Sequence, residues 1–549
     1  MKDSVNKLFE DSFKVNWDRP ALSDYNGATM TYADLARRIA KMHIFFEVCN
    51  INKGDKIALC ARNQANWAVA YLAIMTYGAV VVPLLHEFKP SSVHHLVNHS
   101  DSRFLFAGDV VWENLSPSEM PNIEACITLS NFKPAFVRNE EVPGMISKVD
   151  EIFEERYPDF GPDDIHYYSD SPEELALISY TSGSTGFSKG VMLPFRTVYY
   201  NIMFGYYAEP HINNQSNVVS MLPSAHLYGM MYEVVYQMIK GAHVYFLTRL
   251  PSPKVIMTAL GDIKPELIVT VPMILEKIYK SVLLPFISKT STKMFLSLPV
   301  IDQVALAKIK KNLTDAMGGN FSEVLVGGAA LNREVEAFLH RIGFRFTVGY
   351  GMTECGPIIS YSPWDQTRLY SCGKPAPRVK VRIDSPDPKH IPGEILVQGE
   401  NVFIGYYKNE TASEAALEGG WLHTGDMGVM DDDGYLYIKG RCKTMILGPS
   451  GQNIYPEEIE SSINNLPYVS ESLVISDHGS LTALIYPDFD QLNADQISHS
   501  QTLDVLKEKI KLTNMEMPDY CKITKVEIFP EEFEKTPKRS IKRYLYQRG

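Results

Sequence analysis

Cysteine is scarce in this sequence: seven in 549 residues, at positions 49, 60, 126, 355, 372, 442 and 521, with no C-x-x-C pair. A scattered, odd-numbered set excludes a disulfide framework and a cysteine zinc site, and it fits a reducing cytoplasm. Basic charge is also short, with 53 Lys and Arg against 65 Asp and Glu and a net charge of −12. That excludes nucleic acid as a bulk partner, because backbone phosphate needs a basic surface. One stretch departs from the balance. From Lys535 onward there are six basic residues and no acid, a segment suited to anionic phosphates, to an anionic membrane surface, or simply to solvent.

Long apolar runs are few. The start, MKDSVNKLFEDSF, lacks the apolar core of a signal peptide. Residues 67–85, WAVAYLAIMTYGAVVVPLL, carry no charge and approach the length of a membrane span. Gly78 and Pro83 divide them, so the expected reading is a buried helix, a glycine C-cap and a buried parallel strand. Several motifs are absent too. No GxxxxGK[ST] nucleotide loop, no GxGxxG fingerprint and no HExxH zinc helix occurs. There is no internal repeat and no carrier-protein attachment serine; HGSL at 478–481 reads as a turn between strands.

What is present is α/β in texture. TYADLARRIAKMHIFFEVCN (31–50) has helical spacing, and KGDKIALCA (53–61) reads as turn and strand. PEELALISY predicts a strand, the loop after it leads to a helix at FRTVYYNIMFGYY, and 321–343 repeats strand, glycine turn and helix. The expected fold is α/β: a large N-terminal domain of helix-flanked sheets over 1–440, with a small β-rich subdomain from about 375. A hinge at 441–443 and a small, mobile α+β C-terminal domain over 444–549 complete it.

Three stretches carry chemistry-bearing residues. YTSGSTGFSKGVML (180–193) frames Ser182, Ser184, Thr185 and Lys189 with Gly183, Gly186 and Gly190. Glycine amides, hydroxyls and one ammonium suit phosphate oxygens; a plain Gly/Ser turn fits as well. VGYGMTECGP (348–357) places Thr353 and Glu354 in a glycine-bounded loop, either an oxygen site for Mg²⁺ beside substrate phosphates or a solvated glutamate. GWLHTGDMGVMDDDGYLYIKGRCK (420–443) puts Asp426 in a glycine turn, where it can accept hydrogen bonds from a ribose diol. The DDDG that follows reads as a hairpin turn. His95 and His99 have metal-pair spacing without a third ligand, so a histidine-rich helix surface is the plainer reading.

In this order the elements resemble the acyl-adenylate-forming superfamily of acyl-CoA synthetases, peptide-synthetase adenylation domains and beetle luciferases. The phosphate loop is similar to the family's YTSGTTGxPKGV, with Ser184 and Ser188 replacing Thr and Pro. YGMTE (350–354), GWLHTGD (420–426), GYLYIKGRCK (434–443) and GQNIYPEEIE (451–460) resemble the later motifs, so the likeness spans the whole chain. It implies that Thr181, Ser182, Gly183, Ser184, Thr185, Gly186 and Lys189 clasp ATP phosphates while a carboxylate attacks the α-phosphorus. By the same resemblance Glu354 and Thr181 hold Mg²⁺. The turn with Gly328 and Ala329 forms the adenine slot with Tyr350; Gly351, Met352 and Thr353 belong to the same ATP site, and Asp426 with Arg441 holds the ribose. Lys443 is the implied pivot, and Gly451 flanks a tunnel for the pantetheine of CoA. MLPSAHLYGM (221–230) resembles the motif placing His226 beside the acyl group; a core histidine at a helix start is the other reading. TVPMILEKIY (270–279) is similar to long-chain fatty-acyl-CoA synthetases, favouring a medium- or long-chain fatty acid, with a carrier-protein-loading ligase as the alternative.

The match fails at one place. The family's last motif reads T-P-T-x-K-I-K-R, whereas this chain has TPKRSIKR (536–543), with Ser540 where the bridging lysine belongs. Removing such a contact from a dry site costs ~2.7–4 kcal/mol. Lys538 or Lys542 could take its place, adenylation could be slow, or the chain could bind nucleotide and acyl group without turnover. Pro194–Phe195 also replaces the family's usual Thr-His.

Overall fold

The computed structural model describes all residues except 1–3, 139, 141, 182–187, 250–251, 284–300, 449–451, 478–479, 516, 537–539 and 549. Two large sheets dominate. An eight-stranded sheet runs in the order Gly405–Tyr406, Lys189–Pro194, Leu175–Thr181, Val80–Leu84, Lys56–Cys60, Phe104–Ala107, Ala125–Thr128, Pro134–Val137. Its centre is parallel and its edges antiparallel. A seven-stranded sheet orders Phe346–Val348, Glu323–Val326, Leu267–Thr270, Asn217–Ser220, His243–Phe246, Pro20–Asp24 and Thr29–Thr31, parallel except at its last pair. This is the expected α/β architecture.

The uncharged run 67–85 resolves as its punctuation predicts. Helix Ala65–Tyr77 is buried on every side and ends on Gly78, which adopts a left-handed φ of 86°. A side chain there would strike the Tyr168 ring 2.6 Å away. Strand Val80–Leu84 then pairs in parallel with Lys56–Cys60. Among the described residues no helix is long and apolar enough to cross a membrane. The helix within 31–50 spans Tyr32–Val48 and opens on a capping box between Thr31 and Asp34.

Helix Phe195–Ala208 stands where FRTVYYNIMFGYY placed it, but the last part of the stretch read as a loop, Lys189–Pro194, forms a strand antiparallel to Leu175–Thr181. Alternation in KGVMLP, buried at Val191 and Leu193, carries that strand. Asp426 is likewise not in a turn. It lies within strand Leu422–Met430, just after Gly425 at φ 71°. The DDDG stretch does make the hairpin turn, with Asp431 accepting from the Asp433 and Tyr435 amides.

From Lys374 onward, strands Lys380–Asp384, Gly393–Gln398, Leu422–Met430 and Leu436–Arg441 build an antiparallel sheet. One continuous apolar core extends from Val5 to Leu436. Separate clusters follow on the two faces of the last sheet. Val474 joins Ile454, Ile459 and Ile510 on one face, while Leu473 and Ile475 join Phe533 on the other, the period-two signature of a strand covered on both sides. Of HGSL, Ser480 and Leu481 open strand Ser480–Pro487, which pairs with Val469–Asp477, and His478 and Gly479 lie outside the described residues.

Candidate active site

The hairpin of Leu175–Thr181 and Lys189–Pro194 brings Thr181 opposite Lys189 at its mouth. Ser182, Gly183, Ser184, Thr185 and Gly186, which connect them, lie outside the described residues. Strand Gly405–Tyr406 adds to the hairpin's edge, pairing Tyr406 with Val191. The Lys189 ammonium sits 4.5 Å from the centre of the Tyr406 ring, a cation–π distance. The Tyr406 hydroxyl donates to Glu354 Oε1 at 2.9 Å, and the Phe403 amide donates to the Glu354 carbonyl at 2.8 Å. Thr181, Lys189 and Glu354 therefore sit in one neighbourhood, joined through Tyr406.

Glu354 is not solvated: it lies in the helical turn Thr353–Cys355 at 8% exposure. The loop beneath it is held by Asn201, whose Nδ2 donates to the Cys355 carbonyl at 3.2 Å and whose Oδ1 accepts from the Ile358 amide at 3.1 Å. Among the described residues there is no group of three or more His, Cys, Asp or Glu able to hold a metal alone. One buried carboxylate and a hydroxyl are instead the hard-oxygen donor set that Mg²⁺ accepts when phosphates complete its shell, so the residues present fit that ion.

On the opposite side, strand Tyr350–Gly351 pairs with Ile358–Tyr361. A side chain at Gly351 would run into the Pro357 carbonyl oxygen, so only glycine fits. The Tyr350 hydroxyl donates to Asp426 Oδ2 at 2.7 Å, and Arg441 Nε lies 3.1 Å from Asp426 Oδ1. The Asp426–Arg441 pair is fixed by register, since the two face each other across neighbouring strands. Burial pushes the Asp426 carboxyl above the ordinary aspartate value, and Arg441 and Tyr350 oppose it. Burial and the Asp426 charge together raise the Tyr350 phenol well above its usual range, so it stays a donor.

The turn carrying Gly328 and Ala329 is exposed and follows strand Glu323–Val326. Gly328 has φ 86°, a conformation suited to glycine. The Gly349 amide donates to the Val326 carbonyl at 2.9 Å, which ties this turn to the Tyr350 strand. Met352 is half-buried and Thr353 buried beside Glu354. His226, partly buried, directly precedes the short helix Leu227–Gly229 that leads into a π-helical segment, Met230–Val235. Its loop is gripped from below. Asn63 accepts from the Ser224 amide at 2.8 Å, and buried Glu233 accepts from Ser220 at 3.1 Å and the Leu222 amide at 3.2 Å. Burial raises the Glu233 carboxyl well above its ordinary value.

The C-terminal candidates differ in their surroundings. Lys443 is exposed in the turn after strand Leu436–Arg441. Gly451 and Lys538 lie outside the described residues. Ser540 is exposed in a small hairpin where Lys535 pairs with Ile541 and the Ser540 amide donates to Thr536 Oγ1 at 3.3 Å. The basic tail is largely matched by acids. Lys542 pairs with Glu534 at 3.0 Å, Arg543 with Glu460 at 2.6 Å, and Arg548 with Glu527 at 2.7 Å. The histidine pair also resolves: His99 Nδ1 shares a 2.7 Å hydrogen bond with the Tyr180 hydroxyl, one residue before Thr181.

Sequence reasoning missed Tyr406, Asn201, Asn63 and Glu233. Asn63 and Glu233 act through contacts more than ten residues away in sequence, and Tyr406 sits on a two-residue strand with no periodicity to announce it. The dipeptide Gly405–Tyr406 in an irregular stretch was the one available signal.

Comparison with known proteins adds the following. The AMP-binding enzyme family matches residues 9–407, and the AMP-binding enzyme C-terminal domain matches 443–548. The long-chain-fatty-acid–CoA ligase ACSBG1 of Rattus norvegicus is 26% identical over 511 residues, covering 86% of this chain and 67% of the relative. The long-chain-fatty-acid–CoA ligase FadD15 of Mycobacterium bovis is 25% identical over 557 residues, covering 94% and 90% respectively. The crystal structure of the anthranilate CoA ligase AuaEII with anthranoyl-AMP superposes with a TM-score of 0.77 at 17% identity, covering 99% of this chain and 98% of that one. At that identity the likeness is one of fold.

Proposed function

Since the chain belongs to the AMP-binding enzyme family, we propose that it activates a medium- or long-chain fatty acid with MgATP and passes the acyl group to CoA. In the first step the fatty carboxylate attacks the α-phosphorus of ATP, the bond to the β-phosphate oxygen breaks, and pyrophosphate leaves. In the second a thiol attacks the acyl carbon and AMP leaves. The observation that carries this reading is the gathering of Lys189 and Glu354 around Tyr406, a cation and a carboxylate fixed at one site edge.

Each residue has a task. Lys189 and the loop 182–186 meet the phosphates, where positioning and charge supply most of the catalysis. Glu354 and Thr181 would hold Mg²⁺, which draws the phosphate oxygens together and offsets their charge. Asp426 and Arg441 take the ribose hydroxyls, while Gly328, Ala329, Tyr350, Gly351 and Met352 border the base. His226 lies by the acyl carboxylate. Lys443 is the pivot between steps, and Gly451 borders the CoA channel after rotation. The fatty substrate is supported by the names of the relatives, both long-chain-fatty-acid–CoA ligases.

A second reading is favoured by one observation: Ser540 replaces a lysine, and Lys542 is engaged with Glu534. Adenylation is then slow while thioester formation is intact, or the chain serves as an acyl and nucleotide binder. Pyrophosphate release from purified protein, MgATP and short to long fatty acids tests all three. Acid-dependent release that rises with CoA supports the ligase. Release coupled only to an acyl-carrier protein would move the assignment to a carrier-loading ligase. Nucleotide binding without any release would leave a binder.

A further inference from the structure

Tyr406 touches both charged groups of the proposed phosphate site, and nothing in the family motifs quoted above assigns it a role. Its ring is 8% exposed and packed edge-on against Phe403, with centroids 4.9 Å apart. Its backbone is fixed twice: its amide donates to Ser413 Oγ at 2.8 Å, and the next amide, of Tyr407, donates to the Gly190 carbonyl at 2.7 Å. The side chain therefore has little freedom, and both of its contacts inherit that rigidity.

We propose that Tyr406 is a positioning residue that sets the Glu354 carboxylate for a divalent cation and the Lys189 ammonium for phosphate, a proposal that rests on the roles given above to those two residues. The phenol donates to Oε1 at 2.9 Å, which restrains the rotation of the carboxyl. A neutral donor on one oxygen orients a metal-binding carboxylate without competing for the cation. The ring face meanwhile attracts the Lys189 ammonium from below. One side chain thus couples the position of a cation that meets phosphate to that of a carboxylate that meets the metal.

The two contacts separate by mutation. Tyr406→Phe keeps the ring under Lys189 and deletes only the hydroxyl; Tyr406→Leu deletes both. ATP affinity of the full chain is measured calorimetrically across a Mg²⁺ series and again with EDTA, a readout independent of turnover, alongside Glu354→Gln. Tyr406→Phe is expected to need about tenfold more Mg²⁺ to reach half-maximal tightening of ATP binding, in line with the loss of an outer-shell partner. Its metal-free ATP affinity stays at the wild-type value, which a general loss of structure would not spare. Tyr406→Leu is expected to show the same Mg²⁺ shift and a metal-free affinity reduced by a few fold. A Mg²⁺ response unchanged in Tyr406→Phe but shifted in Glu354→Gln overturns the role of Tyr406 and leaves Glu354 as the metal ligand. No shift in either variant overturns the Glu354 assignment, and the proposal falls with it.

Discussion

Glu354 and Asp426 sit on buried backbone held on several sides, whereas Ser540 lies in an exposed hairpin whose neighbouring lysines pair with acids near the surface. Glu354 sits between Tyr406, the Phe403 amide and a loop gripped by Asn201. Asp426 sits between Tyr350 and Arg441 inside a sheet. Ser540, by contrast, is exposed, and its neighbours Lys542 and Lys535 contact Glu534, Glu471 and Glu532 within the last hundred residues. Buried hydrogen bonds fix geometry because leaving them unmade is costly, while exposed ion pairs exchange readily with water. The difference is one of fixation: the backbone around Glu354 and Asp426 is held by buried hydrogen bonds, while Ser540 is open to solvent.

The largest effects belong to the fixed carboxylates. Glu354→Gln keeps the shape of the side chain and can still accept from Tyr406, but it removes the charge facing the phosphates. Acid-dependent pyrophosphate release should fall by about 10²–10³-fold, with the melting temperature near that of the wild type. A variant that releases pyrophosphate at the wild-type rate would take Glu354 out of the chemistry. Ser540→Lys tests the exposed hairpin in the opposite direction. Restoring a cation should raise adenylation by about a hundredfold and leave transfer from preformed acyl-AMP to CoA unchanged. No gain would mean that the bridging charge already comes from elsewhere.

A smaller effect, with opposite signs in binding and stability, is expected at Asp426. Burial lifts its pKa above 3.8 in the folded protein, so the native state holds this proton to higher pH than the unfolded chain does. Its contribution to stability is therefore fully present below the ordinary value and is lost as pH rises through the raised one. Asp426→Asn removes that loss, since the amide oxygen can still accept from Tyr350 and Arg441 stays solvated at 66% side-chain exposure. The variant should melt at or above the wild type at neutral pH, with the advantage shrinking toward acid. ATP should bind about tenfold more weakly, as expected for losing a charged acceptor to the ribose. Thermal melts across pH and nucleotide titration check both halves; unchanged ATP affinity would remove Asp426 from the ribose site.

The same contrast explains what the sequence made legible. Local signals carried the buried run 67–85, because Gly78 needs a left-handed turn and VVV needs a strand. The five motifs pointed to residues that the fold then gathered, Lys189, Glu354, Tyr350, Asp426 and Arg441 among them. What escaped was set by pairing between distant segments. Placing Asp426 in a turn followed from its flanking glycine, yet sheet pairing with Arg441 extends the backbone there. The strand at Lys189–Pro194 was hidden because it continues the glycine- and serine-rich stretch 180–193, which reads as one loop up to the helix. Tyr406 and Asn201 matter only because of what they touch 52 and 154 residues away, and no spacing rule reports such contacts.

The smallest expected effect is the most decisive for the exposed hairpin. Lys542 is the remaining described lysine in the last motif, and its ammonium lies 3.0 Å from Glu534 Oε2, with side-chain exposures of 24% and 62%. A pair so open to solvent contributes about 0–1 kcal/mol, so Lys542→Met should shift stability only within that range and leave pyrophosphate release within about twofold of wild type. If Lys542 instead leaves Glu534 during the reaction to stand in for the absent lysine, the same substitution would cost about a hundredfold. Pairing it with Ser540→Lys separates the cases further. Independent sites add in free energy, whereas two lysines competing for one phosphate do not. A double variant as active as Ser540→Lys alone would place the deficit at position 540 and leave Lys542 a surface residue.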